Sequence, residues 1–144
     1  MAVRFPFEIK SSGVFGPIRR PVAKVDFWSR LTKNWVEIIL LVDTGADYTL
    51  LPKFYAEDLG VDVERECAPH ITSGVGGGER VYLLPRMHVR IDGWELAVPV
   101  GFLERDNIPA LLGRQYFLED FKVEFHRHIT AFSHYRRTRR RTLA

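Results

Sequence analysis

Alternation of apolar and polar positions predicts a chain built mainly from β-strands. The segments FPFEIK and PVAKVDFWS are typical of short strands, and NWVEIILLV passes from polar to wholly apolar, as a strand does on entering a core. After the turn Asp92-Gly93, apolar residues recur at every second position from Trp94 to Phe102, which predicts a strand with one buried face. Within it, Pro99 indicates an edge strand or the outer face of a sheet.

Helical patterns are few and short. LPKFYAEDLG begins with proline, carries apolar residues at helical spacing and ends at Gly60, and GRQYFLED is a second candidate of about two turns. The glycine-containing stretch from His70 to Phe102 predicts a pair of hairpins, and FKVEFHRHITAFSH predicts two closing strands. The predicted fold class is mostly β: a small closed or partly closed barrel with one or two short helices.

Composition narrows the class of protein. A chain of 144 residues suits one compact domain, and its single cysteine, Cys67, suits a reducing compartment. Neither a signal-peptide pattern nor an apolar run of about 18 residues is present, so we expect a soluble, cytoplasmic protein without a membrane partner. Without the five arginines of the last segment, the net charge falls from +3 to −2. Nucleic acid is therefore an unlikely partner, since only the basic tail would attract it; these arginines are Arg136, Arg137, Arg139, Arg140 and Arg141.

The segment ILLVDTGADYTLLP places Asp43 directly after a run of five apolar residues. An unpaired carboxylate in apolar surroundings is costly. Gly45 permits a tight turn, Thr44 offers a hydroxyl for nearby backbone groups, and Ala46 adds little bulk. These residues can hold an acid at the end of a buried strand with open space beside it. The alternative is that Asp43 is a turn-forming residue that ends the strand.

LLVDTGADYTLL resembles the catalytic loop of retropepsin-type aspartic proteases. The segment SGVGGG resembles the glycine-rich flap of that family, and PALLGRQYF resembles its hydrophobic–hydrophobic–Gly segment with the short helix that follows. The resemblance extends from about Val36 to Phe132. It implies a retropepsin-type barrel with a flap hairpin and an aspartic endopeptidase that uses Asp43 and needs no metal or other cofactor. The implied flap residues are Ser73, Gly74, Val75, Gly76, Gly77 and Gly78.

Aspartic proteolysis requires two neighbouring carboxylates that share one proton, so that one acts as base while the other donates a hydrogen bond. The chain has one Asp-Thr-Gly, and Asp47 lies too close in sequence to face Asp43 symmetrically. The second acid is therefore expected to be Asp43 of another copy, in a two-fold homodimer. Because one proton must stay on the pair, activity is expected to be best at mildly acidic pH.

The resemblance also implies roles for neighbouring residues. Asp47 would be held by Arg114, the alternative being an ordinary surface acid. The flap segment could instead be a flexible surface loop; it is a poor phosphate cradle, since no Lys-Ser/Thr follows. Tyr48 stands where retroviral enzymes often carry a smaller or polar residue, which bears on the outer pockets. Residues at substrate-pocket positions, each of which could equally be plain core, are Leu41, Val75, Ile108, Pro109 and Leu111.

Three segments are predicted: an N-terminal extension with short strands (1–34), the protease domain (35–134) and a basic, disordered tail (135–144). Retroviral enzymes interleave their termini, and because both ends are extended here, a different dimer assembly is expected. FPFEIK could add a strand at a sheet edge, and either end could be processed or could inhibit the dimer.

Other interpretations remain open at this point. His126 and His128 alternate with strand period near His134, which raises a metal site, although solvated histidines are the expectation and no metal is predicted. The fold could serve as a catalytically silent dimerisation or peptide-binding module. A nucleic-acid-binding barrel would rest on the tail alone.

Overall fold

The computed structural model describes residues 2–74 and 77–133. Most of this part is strand, in agreement with the predicted class. The strands are β1 (Val3–Pro6), β2 (Glu8–Ser12), β3 (Gly16–Arg20), β4 (Val22–Ser29), β5 (Asn34–Val42), β6 (Thr49–Pro52), β7 (Ala68–Gly74), β8 (Gly77–Ile91), β9 (Trp94–Leu103), β10 (Leu111–Leu112), β11 (Lys122–His126) and β12 (Ile129–Ser133). The helices are α1 (Phe54–Asp58), α2 (Val63–Glu66) and a 3-10 helix (Leu118–Asp120).

The principal sheet closes on itself. Its strands run in the order β4-β5-β10-β6-β9-β8-β7. A further pairing of β4 with β8, at Asp26 with Arg90 and Phe27 with Val89, joins the first six strands into a ring and leaves β7 outside on β8. The predicted small, closed or partly closed barrel is therefore present.

The core lies inside this ring. Leu96, Val98, Val100 and Phe102 of β9 are buried at every second position, which confirms the predicted buried face. Burying these aliphatic and aromatic side chains supplies the main driving force for folding.

Two local predictions are wrong in part. β9 lies between β6 and β8, so Pro99 is not on an edge strand; it lies on the face opposite Val98 and Val100. The β8–β9 register shifts between Leu84 and Met87, opposite Pro99, and this irregularity accommodates a residue without an N–H.

The helix predicted over GRQYFLED is the second correction. Only Leu118–Asp120 is helical, and it is a 3-10 turn. Tyr116 has a φ of 58°, a left-handed conformation that an α-helix cannot continue through. In contrast, LPKFYAEDLG forms α1 and is followed by Gly60 at a φ of 72°, as predicted.

The N-terminal residues form more than one unit. FPFEIK is divided between β1, which joins β12 and β11 in a three-stranded sheet, and β2, which pairs with β3 in a separate hairpin. β4 belongs to the ring as the partner of β5, so the predicted boundary at residue 34 falls inside that hairpin. Among the described helices, none has the length and apolar character needed to cross a membrane.

Candidate active site

Asp43 begins the loop between β5 and β6, directly after the buried end of β5. The short strand β10 fills the gap between those two strands, parallel to β5 and antiparallel to β6. The backbone N–H of Asp43 donates to the carbonyl of Leu112 at 3.0 Å, and Leu41 donates to Ala110 at 2.9 Å. The segment that includes β10 therefore fixes the backbone that leads into the aspartate.

The loop itself orients the Asp43 carboxylate. The Gly45 N–H donates to Oδ1 of Asp43 at 2.9 Å, and the Ala46 N–H donates to the Asp43 carbonyl at 3.1 Å. A Cβ at position 45 would lie 3.3 Å from the same Oδ1, so glycine leaves this oxygen uncrowded. Thr44 is exposed, and within the described residues its hydroxyl makes no hydrogen bond. The predicted backbone turn is thus present, while a bracing contact from Thr44 is not formed within one chain.

Gly113 packs directly against the backbone of the loop that carries Asp43. A Cβ there would lie 2.2 Å from the carbonyl carbon of Tyr48, a distance that no side chain tolerates. The Gly113 N–H donates to the buried hydroxyl of Thr49 at 3.2 Å. The glycine of the PALLGRQYF segment is therefore required by packing against the loop that carries Asp43.

Asp47 and Arg114 form the predicted ion pair, through one guanidinium nitrogen and Oδ1. The other terminal nitrogen of Arg114 lies 3.8 Å from Glu119. Arg114 therefore interacts with two carboxylates, through one nitrogen each, and does not form a bidentate pair with Asp47. Backbone hydrogen bonds reinforce it: Arg114 donates to the Ala46 carbonyl at 3.0 Å, and Gln115 donates to the Asp47 carbonyl at 2.8 Å. Because 70% of the Asp47 side chain is exposed, its carboxylate also faces open space.

A cleft of about 670 Å³ opens beside Asp43. One wall is the loop after β5, and the other is the hairpin of β7 and β8, where the flap was predicted. The flap residues Val75 and Gly76 lie outside the described residues. The cleft is lined by Asp43, Gly45, Ala46, Asp47, Tyr48, Leu50, Thr72, Ser73, Gly77, Gly78, Glu79, Leu103, Arg105 and Leu111.

Of the four predicted pocket residues that the structure describes, one lines the cleft. Leu111 lines the cleft, whereas the lining does not include Leu41, Ile108 or Pro109. Leu41 is half-buried and pairs with Leu111 across β5 and β10. Val75, the fifth, is not among the described residues. Contact of these side chains with a substrate stays a prediction.

Two polar contacts at the cleft were not predicted. Tyr48 of the loop is hydrogen-bonded to the side chain of Thr72 on β7. Burial raises the pKa of Tyr48, with a further rise from the Asp47 charge and an opposing effect of the Thr72 hydrogen bond. Glu79 on β8 pairs with Arg105 at 3.1 Å. The unusual residue at position 48 was a signal in the sequence, but Glu79 and Arg105 meet only through the β8–β9 pairing.

His126 and His128 are not among the residues that line this cleft, and His134 lies outside the described residues. His126 ends β11, but His128 is in the following turn at a φ of 61°, so strand alternation does not carry both to one face, contrary to expectation. Nδ1 of His128 lies 3.4 Å from an Arg19 guanidinium nitrogen. Over residues 2–74 and 77–133, no group of three or more metal-ligating side chains comes together.

Comparisons with known proteins address the same segments. The family model described as "Aspartyl protease" matches residues 31–116, more than half of the chain. The crystal structure of a retropepsin-like aspartic protease from Rickettsia conorii superposes with a TM-score of 0.61 at 22% identity, over 88% of this chain and 98% of that one. A search of curated proteins found no match. The structural match confirms the retropepsin-type barrel, and the family match spans Asp43, the flap segment and Arg114.

Proposed function

Since this chain belongs to the aspartyl protease family, we propose that it is a homodimeric endopeptidase whose two catalytic carboxylates are the Asp43 side chains of two copies. One observation carries the proposal: the Asp43 carboxylate is oriented by the Gly45 N–H and lies in a cleft between its loop and the glycine hairpin. A fixed, accessible acid in a cleft is what water-mediated peptide hydrolysis requires.

The other acids of the cleft favour a second copy as the source of the partner carboxylate. Three acidic residues line the cleft: Asp43, Asp47 and Glu79. Asp47 is paired with Arg114, and Glu79 is paired with Arg105. A carboxylate whose oxygen is already engaged by a guanidinium is less free to pair with a second acid. Of these three acids, Asp43 alone has no cationic partner among the described residues, and a two-fold axis beside it would supply an identical acid.

The mechanism follows from one proton shared by two acids. The ionised carboxylate accepts a proton from a water molecule as its oxygen attacks the scissile carbonyl carbon. The protonated carboxyl donates to the carbonyl oxygen, which gives a tetrahedral diol. Collapse of the diol transfers a proton to the amide nitrogen and breaks the C–N bond, and the shared proton returns to the pair. The Gly45 N–H on Oδ1 holds one Asp43 carboxylate in place throughout.

The substrate we propose is an extended polypeptide. Leu50, Leu103 and Leu111 give the cleft apolar surface, which favours apolar side chains beside the cleaved bond. The charged Glu79–Arg105 pair lies in the same lining, so an ionic contact is available to residues farther from that bond.

The test is cleavage of a peptide library by the purified full chain and by Asp43→Asn, from pH 4 to pH 8. We expect Asp43→Asn to lower kcat/KM by about 100-fold or more, because the general base is removed. Asp92→Asn, an isosteric change in the exposed β8–β9 turn, is the control and should leave cleavage unchanged. Equal cleavage by wild type and Asp43→Asn would overturn the proposal. Peptide binding without cleavage at any pH would show a silent peptide-binding module instead.

A further inference from the structure

Within the described residues, the β2–β3 hairpin forms a sheet of its own that is separate from the barrel. Its two strands pair only with each other. Most of their positions are exposed, and the tip between them carries Val14 and Phe15, which are 81% and 80% exposed. On β2, Ile9 is 64% exposed. Three large apolar side chains of one small hairpin therefore face solvent.

Such a hairpin is unusual for a chain that functions alone. An isolated two-stranded hairpin is at best marginally stable in water. Clustered exposed apolar side chains also mark interaction surfaces more often than free ones. The β2–β3 hairpin has both properties, which indicates that it gains its missing packing from another molecule.

The root of the hairpin lies next to the catalytic residue. The Phe7 N–H, just before β2, donates to the His128 carbonyl at 2.8 Å. Just after β3, the Pro21 carbonyl accepts from the N–H of Val42 at 2.9 Å. Val42 immediately precedes Asp43, so the hairpin is anchored at both ends of its root and leaves the barrel one residue away from the catalytic position.

We propose that the β2–β3 hairpin is an intersubunit clasp that docks its Val14–Phe15 tip on the second copy of this chain. The inference rests on the proposed function, in which the two Asp43 side chains meet at a two-fold axis. The root at Pro21 then lies beside that axis. A five-residue strand spans about 17 Å, enough for the tip to reach well across the partner. By symmetry each copy contributes one clasp and receives one.

Charge favours a second copy as the occupant. Residues 8–20 carry three basic side chains and one acidic, a net charge of +2. Residues 22–133 carry 12 basic and 17 acidic side chains, a net charge of −5. The basic tail brings each whole chain to +3, but a positively charged clasp that meets residues 22–133 of an identical chain faces an acidic body, which favours docking there.

The test compares Phe15→Asp with Leu31→Asp in the full-length protein, by sedimentation velocity over a range of concentrations. Both side chains are exposed in hairpin turns, but Leu31 lies at the end of β4–β5 remote from Val42. We expect Phe15→Asp to raise the dimer dissociation constant by about 100-fold, because the apolar contact of the Phe15 side chain is lost at two symmetric sites. Leu31→Asp should change the dissociation constant by less than about twofold. Thermal unfolding verifies that both variants fold.

Peptide cleavage gives the second measurement. Phe15→Asp should lose activity at dilution and recover it at high protein concentration, because each assembled dimer keeps an intact site. A dissociation constant for Phe15→Asp within twofold of wild type, or an equal weakening by Leu31→Asp, would overturn the clasp. The proposed function would still hold in that case if the wild type cleaves peptides and Asp43→Asn does not. A wild type that stays monomeric while cleaving would overturn the clasp and the shared dyad together.

Discussion

The two walls of the cleft are built in different ways. The wall that carries Asp43, called the floor from here on, consists of residues 43–49 and 111–115. Backbone hydrogen bonds join these two segments, and Gly113 packs against the Tyr48 backbone. The flap arm, residues 68–74 with 77–83, is exposed along nearly all of β7, with Ile71 at 59%. The contrast indicates that the wall that holds the acid is rigid, and that the wall on the opposite side of the cleft, which would cover a substrate in the proposed function, can adjust more easily. Changes to the floor should therefore affect stability first, and changes to the flap arm should affect substrate binding first.

The largest effect is expected for Gly113→Ala. A methyl group would lie 2.2 Å from the Tyr48 carbonyl carbon, so the loop must move or the chain must unfold. We expect the free energy of unfolding to fall by about 3 kcal/mol or more, measured by urea denaturation. Gly93→Ala is the control, because nothing lies within 4 Å of its added methyl group and its φ is ordinary. A stable Gly113→Ala protein would show that the floor is not rigid.

Asp47→Asn tests the ion pair between the aspartate loop and Arg114. The pair with Arg114 is largely exposed, so the free energy of unfolding should change by less than about 1 kcal/mol. Activity should fall further, by about tenfold in kcat/KM, because misorientation of the loop displaces the reacting groups. Glu119→Gln, which removes the more distant partner of Arg114, should change neither quantity. A stability loss above about 2 kcal/mol in Asp47→Asn would instead make the pair part of the folding core.

Tyr48→Phe tests the contact between the two walls. The change removes the hydrogen bond to Thr72 and should raise KM by about threefold to tenfold with little change in stability. Because burial raises the pKa of Tyr48, its hydroxyl stays protonated at every pH below about 10, and the effect should be the same from pH 4 to pH 8. Tyr55→Phe on α1 is the control. An effect that varies with pH over this range would contradict the assignment.

Arg105→Ala is expected to have the smallest effect. Its side chain is 59% exposed, so stability should change by less than about 0.5 kcal/mol. Loss of the cation frees the Glu79 carboxylate and should shift preference toward basic residues at outer substrate positions, by about fivefold in relative kcat/KM. Glu79→Gln should shift preference toward acidic residues. Identical selectivity in both variants would remove the pair from substrate recognition.

Local patterns predicted much of the fold. The Asp92-Gly93 turn, the alternation along β9 and the short helix α1 each depend on neighbouring residues, and each is present. For Pro99 the outer-face alternative holds, while the edge-strand alternative is wrong because strand order is set by pairings between distant segments, and no local pattern reveals a β6–β9 contact. The prediction of a helix over GRQYFLED was wrong because Tyr116 adopts a left-handed conformation.

More of the candidate site was predicted from the sequence in the floor than in the opposite wall of the cleft. Asp43, Gly45 and Gly113 lie in segments with a recognisable pattern, and the structure brings them together. Glu79 and Arg105 have no local pattern, because their contact arises from the β8–β9 register. The proposed second Asp43 belongs to another copy, so it follows from the need for two acids and not from any local pattern.

The two residues of β10 have a consequence for how the protein is made. Leu111 and Leu112 are the parallel partners of Leu41 and Val42, and they were synthesised about 70 positions later. During translation the aspartate loop therefore stays unsupported until this late segment has left the ribosome. Contacts between such distant parts of a chain form slowly. The proposed site is therefore incomplete in a nascent chain until residues 111 and 112 are available to pair with β5.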